Sequence, residues 1–250
     1  MCILAVAYQV IDSFPLVLIG NRDEFYHRPT QALHRWQIDQ QTLIGGRDAK
    51  AGGTWLGAHE GQQKLAVVTN VRRPDLSTEG LLSRGALVTD FLLNPKFESG
   101  LKPEQYAPYN LLTYDQGQLR YLSNQFPSQT LSAGIYALSN GELDSAWPKV
   151  THLKQQFSEQ LEQLPELSQL WTLLRDDRKP SDEQLPETGV GQRLEKLLSS
   201  IFIQSPTYGT RSSHIVLVDH SHRVSFYEQR FGIMGRKKGQ SLEQFSWATT

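Results

Sequence analysis

The sequence predicts an α+β protein whose largely antiparallel sheets are covered by helices. Apolar, β-branched runs of strand length recur along the chain, whereas helical periodicity is confined to three segments. The order is strands, one helix, strands, helices, then strands, without the strict alternation of a doubly wound parallel sheet. With 250 residues, 38% of them hydrophobic, the chain can bury a sizeable core and reads as one domain over 1–250.

Residues 2–10 and 15–20 are two apolar runs separated by Ile11-Asp12-Ser13-Phe14, which predicts a hairpin at the start of the chain. Further strands are expected at 64–69, 109–114, 118–122, 134–139, 214–219 and 223–228. Helices are expected over 81–93, 148–176 and 190–203. Ser83 is the cap candidate of the first, and Leu194, Leu197, Leu198 and Ile201 form the apolar face of the third. The stretch 176–189 is polar, carries two prolines and reads as a surface loop. Arg236-Lys237-Lys238, between glycines, also reads as a solvated loop.

Composition excludes several classes. A net charge of −1 and a pI near 6.7 provide no field to recruit nucleic acid or an anionic membrane. One cysteine excludes an internal disulfide framework and a cysteine-based zinc site, and fits a reducing compartment. The apolar start lacks a basic segment and carries Asp12, a poor pattern for a signal peptide or membrane insertion. A cytoplasmic location is therefore expected. No pattern in the sequence specifies an oligomeric state.

That cysteine is Cys2. It either packs as a small apolar side chain or, after removal of Met1, becomes an N-terminal nucleophile. In the second case its own α-amine, of pKa about 7.7–8.0, can take the thiol proton. A thiol of pKa about 8.5 is ionised further by a nearby arginine. Gly20-Asn21-Arg22-Asp23-Glu24 follows the second apolar run, and a hairpin returns it to the end of the sheet that holds Cys2. Arg22 is a fixed cation for a thiolate, and Asp23 an acceptor for an amine or for that arginine; a plain solvated turn is the other reading. Asn70 and Asn140 also stand at strand ends, where an amide can donate to an oxyanion, although Asn140-Gly141 is equally a turn pair. Arg211, before the run HIVLVD, is either a surface charge or a partner for a carboxylate or thiolate. Trp55, in Gly52-Gly53-Thr54-Trp55-Leu56-Gly57, is either core or the wall of a pocket where backbones approach closely.

MCILAVAY, GNRDEFYHRP, GGTWLG at 52–57, VTNVR at 68–72, LSNGELDSAWPKV at 138–150 and GTRSSHIVLVD at 209–219 together resemble the NRDE family, the transport and Golgi organisation 2 homologues. That family is similar in turn to N-terminal-nucleophile hydrolases of the penicillin V acylase and bile-salt hydrolase type. The resemblance implies a four-layer αββα sandwich. It implies catalytic roles for Cys2, Arg22, Asp23, Asn70, Asn140 and Arg211, with Asn21, Glu24, Thr54 and Trp55 against the substrate. The chain departs from those enzymes in placing Arg22 and Asp23 next to each other. Strand alternation then puts the two on opposite faces, with Glu24 sharing the face of Arg22.

The function so implied is hydrolysis or transfer at a non-peptide amide or related acyl bond of a small molecule, with no cofactor required. The family's association with haem trafficking and lipid or acyl-CoA homeostasis implies an alternative, a non-catalytic carrier of haem or an acylated molecule in the same cleft. His220-Ser221-His222 reads as a hairpin turn rather than a haem ligand.

Overall fold

A computed structural model describes residues 2–248, with the side chain of Cys2 outside the described set. The chain begins with the expected hairpin, β1 (Cys2–Tyr8) and β2 (Leu16–Phe25). β3 (Thr30–Ile38), β4 (Gln41–Asp48), β5 (Leu56–His59) and β6 (Lys64–Asn70) follow, then α1 (Arg84–Leu93) and the short α2 (Phe97–Gly100). β7 (Tyr109–Asp115), β8 (Gln118–Ser123), β9 (Gln129–Thr130) and β10 (Gly134–Leu138) precede α3 (Pro148–Gln160), α4 (Ser168–Leu173) and α5 (Gln192–Leu197). The described chain closes with β11 (Tyr208–Val218), β12 (Arg223–Phe231) and β13 (Lys237–Ser246).

Two antiparallel sheets result, ordered β10-β1-β2-β11-β12-β13 and β3-β4-β5-β6-β7-β8-β9. The first strands read as continuous apolar runs because the first sheet is buried on both faces. Leu4, Val6, Leu18, Val216 and Phe226 of that sheet pack with Leu56, Val67, Leu112 and Tyr114 of the second. The alternate residues Ile3, Ala5, Val17, Ile19 and Ile215 pack instead on Val150, Leu153 and Phe157 of α3 and on Leu170 and Leu173 of α4. α1 lies against β5 and β6. The layers therefore run helix, sheet, sheet, helix. Each fully buried Leu, Ile or Phe is worth about 1.5–3 kcal/mol, so the two faces of the N-terminal hairpin bind three of the four layers together.

Several sequence expectations need correction. β2 does not end at residue 20 but runs through Phe25, because β11 continues to pair with it after β1 has run out. The expected helix over 148–176 is interrupted between Leu161 and Leu167, where Pro165 lacks the amide a helix interior needs. The helix expected over 190–203 is only α5; Leu194 of its supposed apolar face is exposed. β3, β4 and β13 carry too little alternation to be read as strands. Lys237 and Lys238 begin the edge strand β13 rather than forming a loop. Ser83 does cap α1, its hydroxyl accepting from the amide of Gly85. His220 and His222 lie at the β11–β12 turn, as expected. Among the described residues no helix is long and apolar enough to cross a membrane.

Candidate active site

A cleft of about 560 Å³ opens beside the end of β2. Its walls are β2 and β4, the 50–55 loop, the end of β6 and the segment that leads into α1. Arg22, Asp23, Glu24, Thr54, Trp55 and Asn70 all line it. Residues separated by some fifty positions in the chain are thus brought to one place by the two sheets.

Arg22 is 5% exposed, and its guanidinium carbon lies 4.1 Å from the centre of the Trp55 ring. This cation–π contact fixes the arginine under the cleft floor. Arg22 Nη2 lies 4.0 Å from Glu24 Oε2, so these two share a side of the strand as the alternation predicts. Position 2 of β1 stands directly across from Arg22 in the ladder. The side chain of Cys2, the expected nucleophile, lies outside the described residues.

Asp23 is 1% exposed and accepts a hydrogen bond of 2.7 Å from Thr210 Oγ1. Burial pushes its carboxyl up to about 6, against the pull of Lys149, Thr210 and Arg22. The adjacent-pair problem is resolved on the neighbouring strand. Across from Arg22 and Asp23 the ladder skips Arg211, pairing Ser212 with Arg22 and Thr210 with Asp23. This bulge gives Asp23 its hydroxyl partner and turns Arg211 elsewhere. Arg211 Nη1 donates to the carbonyls of Phe25 (2.8 Å) and Arg28 (3.0 Å), holding the loop beyond the NRDE segment. It is not among the residues lining the cleft.

Asn21 faces the helical layer. Its amide donates to the carbonyls of Leu174 and Ile201 and its oxygen accepts from Ser213 Oγ. Its place is structural: it ties β2 to the chain after α4. Asn140 is buried, and its amide donates to the Asn70 carbonyl over 2.8 Å. Asn70 itself lines the cleft. Thr54 Oγ1 donates to Leu56 carbonyl, a bond within its own turn. Trp55 satisfies both sequence readings, as part of the intersheet core and as cleft wall.

The GGTWLG segment has a packing cause. A Cβ on Gly53 would stand 2.5 Å from the Gly85 carbonyl, so only glycine lets this loop meet the start of α1. A Cβ on Gly46 would strike the Trp55 ring at 2.3 Å.

The sequence reading missed Arg28, Asp48 and Arg84, which also line the cleft. Arg28 Nε donates to Asp48 Oδ2 over 2.7 Å. Burial opposes ionisation of Asp48, but the bonds from Arg28 and from the amides of Ala51 and Lys50 outweigh it and hold its carboxyl below the usual range. Arg28 lies inside GNRDEFYHRP, yet nothing in its neighbours shows that its partner stands twenty residues away.

The chain matches the family model described as Transport and Golgi organisation 2 over residues 1–232. It is 32% identical over 242 residues to the Transport and Golgi organization protein 2 homolog of Bos taurus, with 87% of each chain covered. The Homo sapiens homolog matches to the same extent, 32% over 242 residues and 87% of each chain. Transport and Golgi organization protein 2 of Drosophila melanogaster is 28% identical over 249 residues, 86% of each chain. The NRDE segment, the cleft it opens onto and this agreement along nearly the whole length point the same way: the chain belongs to the Transport and Golgi organisation 2 family.

Proposed function

We propose that the protein cleaves or transfers a non-peptide amide or related acyl group of a small molecule, with Cys2 as nucleophile after removal of Met1. The carrying observation is that Arg22, Asp23, Glu24 and Asn70 meet in one cleft at the point where position 2 pairs with Arg22. In this reading the Cys2 thiol adds to the substrate carbonyl and its proton passes to the α-amine. The side-chain amide of Asn70 donates to the resulting oxyanion. Collapse breaks the C–N bond, the α-ammonium returns the proton to the leaving amine, and water hydrolyses the thioester. Arg22 favours the thiolate. Asp23, with a carboxyl near 6, exchanges a proton close to neutrality and orients the amine. Asn140 is a positioning residue, because its amide holds the Asn70 carbonyl. Arg211 positions the loop after the NRDE segment through the Phe25 and Arg28 carbonyls.

Intact-mass analysis of protein from cells, before and after exposure to acyl amides and thioesters, tests this. The expected result is loss of Met1 and an acyl adduct that is absent from Cys2→Ala. Retained Met1, or no adduct across the panel, refutes catalysis by this route. Leu81, Leu82 and Ala107 give the cleft one apolar wall beside Trp55, which favours the second reading, a carrier of haem or an acylated molecule. Stoichiometric haem binding that survives Cys2→Ala, in protein that forms no adduct, would select the carrier.

A further inference from the structure

A second concavity lies in the helical layer, on the side of the first sheet away from the intersheet core. It measures about 230 Å³ and is formed by the first turns of α3, the 176–180 segment and residues 199–201. Its charged and titratable lining is Lys149, His152, Asp176, Arg178 and Lys179, three lysine or arginine side chains against one carboxylate. That excess is local, since the whole chain carries a net charge of −1.

The cationic groups are held in place. Lys149 is 6% exposed, and its ammonium donates to the Leu198 carbonyl over 2.8 Å at the inner end. Asp176 binds His152 Nε2 at 2.9 Å and takes Arg178 Nε on both oxygens, at 2.9 and 3.0 Å. Burial works to raise the Asp176 carboxyl, but the Arg178 and His152 bonds bring it down to about 2, so it remains a fixed anion that organises both partners. Arg178 uses Nε and Nη2 in these contacts, and Nη1 keeps its donors for a ligand. Lys179, which is exposed, adds a further basic side chain to the lining.

We propose that this pocket binds a small dianion of the phosphate type, inorganic or as a small phosphate ester. Its volume is below the roughly 300 Å³ at which drug-sized ligands begin to fit, which selects an ion or a compact ester. A tetrahedral dianion offers several acceptor oxygens for a buried ammonium, a guanidinium edge and a second ammonium, where a carboxylate offers two. The first turn of α3, which contributes Pro148 and Lys149 to the wall, adds the positive end of a 13-residue helix. The charge of Lys149 also helps hold the Asp23 carboxyl down. An anion that neutralises Lys149 therefore raises the proton affinity of Asp23, and by reciprocity ionisation of Asp23 weakens the anion.

The test is histidine side-chain NMR of the full chain titrated with inorganic phosphate at constant ionic strength, the His152 signal being assigned by its loss in His152→Gln. The expected result is a saturable shift of the His152 ring. Binding should weaken at least tenfold in Arg178→Gln/Lys179→Gln and stay unchanged in the control pair Lys237→Gln/Lys238→Gln. Both pairs are exposed, so folding is preserved. A linear, non-saturating response, equal weakening in the control pair, or acetate binding as tightly as phosphate each overturns the proposal. None of these outcomes depends on whether Cys2 is a nucleophile.

Discussion

Asp23 shows what a single residue contributes here. Its carboxyl sits at about 6 rather than 3.8 because burial disfavours the charged form. The folded protein thus binds this proton more tightly than the unfolded chain does. Stability from this group is complete below about 4 and falls as pH rises towards about 6, by on the order of 3 kcal/mol. Asp23→Asn should abolish that slope: the variant should gain on the wild type in chemical denaturation between pH 4 and pH 6. A constant difference across that range would show that the carboxyl is ionised normally. Asp23 was legible in the sequence as a candidate acid. Its partner Thr210 was not, because the hydrogen bond spans 187 residues and depends on a bulge that no local pattern announces.

At the scale of elements, pairing rather than side-chain pattern decides what the sequence conceals. β3 (TQALHRWQI) and β13 (KKGQSLEQFS) are edge strands with mostly exposed polar residues, and their ladders with β4 and β12 make them strands. β1, β2 and β6 were readable because burial on both faces demands unbroken apolar runs. α5 makes the converse point. It is held less by leucines than by a buried ion pair, Glu195 with Arg72, each side chain 4% exposed. Arg72 also covers the Trp147 ring, and Glu195 accepts from the Thr188 amide and hydroxyl. Glu195→Gln should take the carboxylate out of this buried ion pair and cost about 3–5 kcal/mol in urea unfolding. The double variant Arg72→Met/Glu195→Met should recover most of that loss. A single variant as stable as the wild type would mean that water reaches the pair.

For the molecule as a whole, the two sheets are joined at the open edge by the end of the chain. Trp247 stacks on Tyr114 and donates from Nε1 to the His59 carbonyl over 2.7 Å, so the residue that follows β13 of one sheet is fastened to β5 and β7 of the other. Trp247→Ala should cost about 3–5 kcal/mol, the usual toll of removing a buried aromatic. Unfolding should remain a single transition by tryptophan fluorescence and circular dichroism, because both cores share the first sheet. Two separate transitions would show that this contact, rather than the shared first sheet, couples the two sheets.

The pairing of β2 with β11 also sets a schedule. The NRDE segment is made well before its partners, for Thr210, which holds Asp23, and Arg211, which holds the Phe25 carbonyl, lie 187 and 186 residues downstream. Such distant pairing is slow to form, because the intervening chain must first be brought together. The cleft beside the NRDE segment is therefore closed into shape only once β11 has been made, long after the strand that carries the segment.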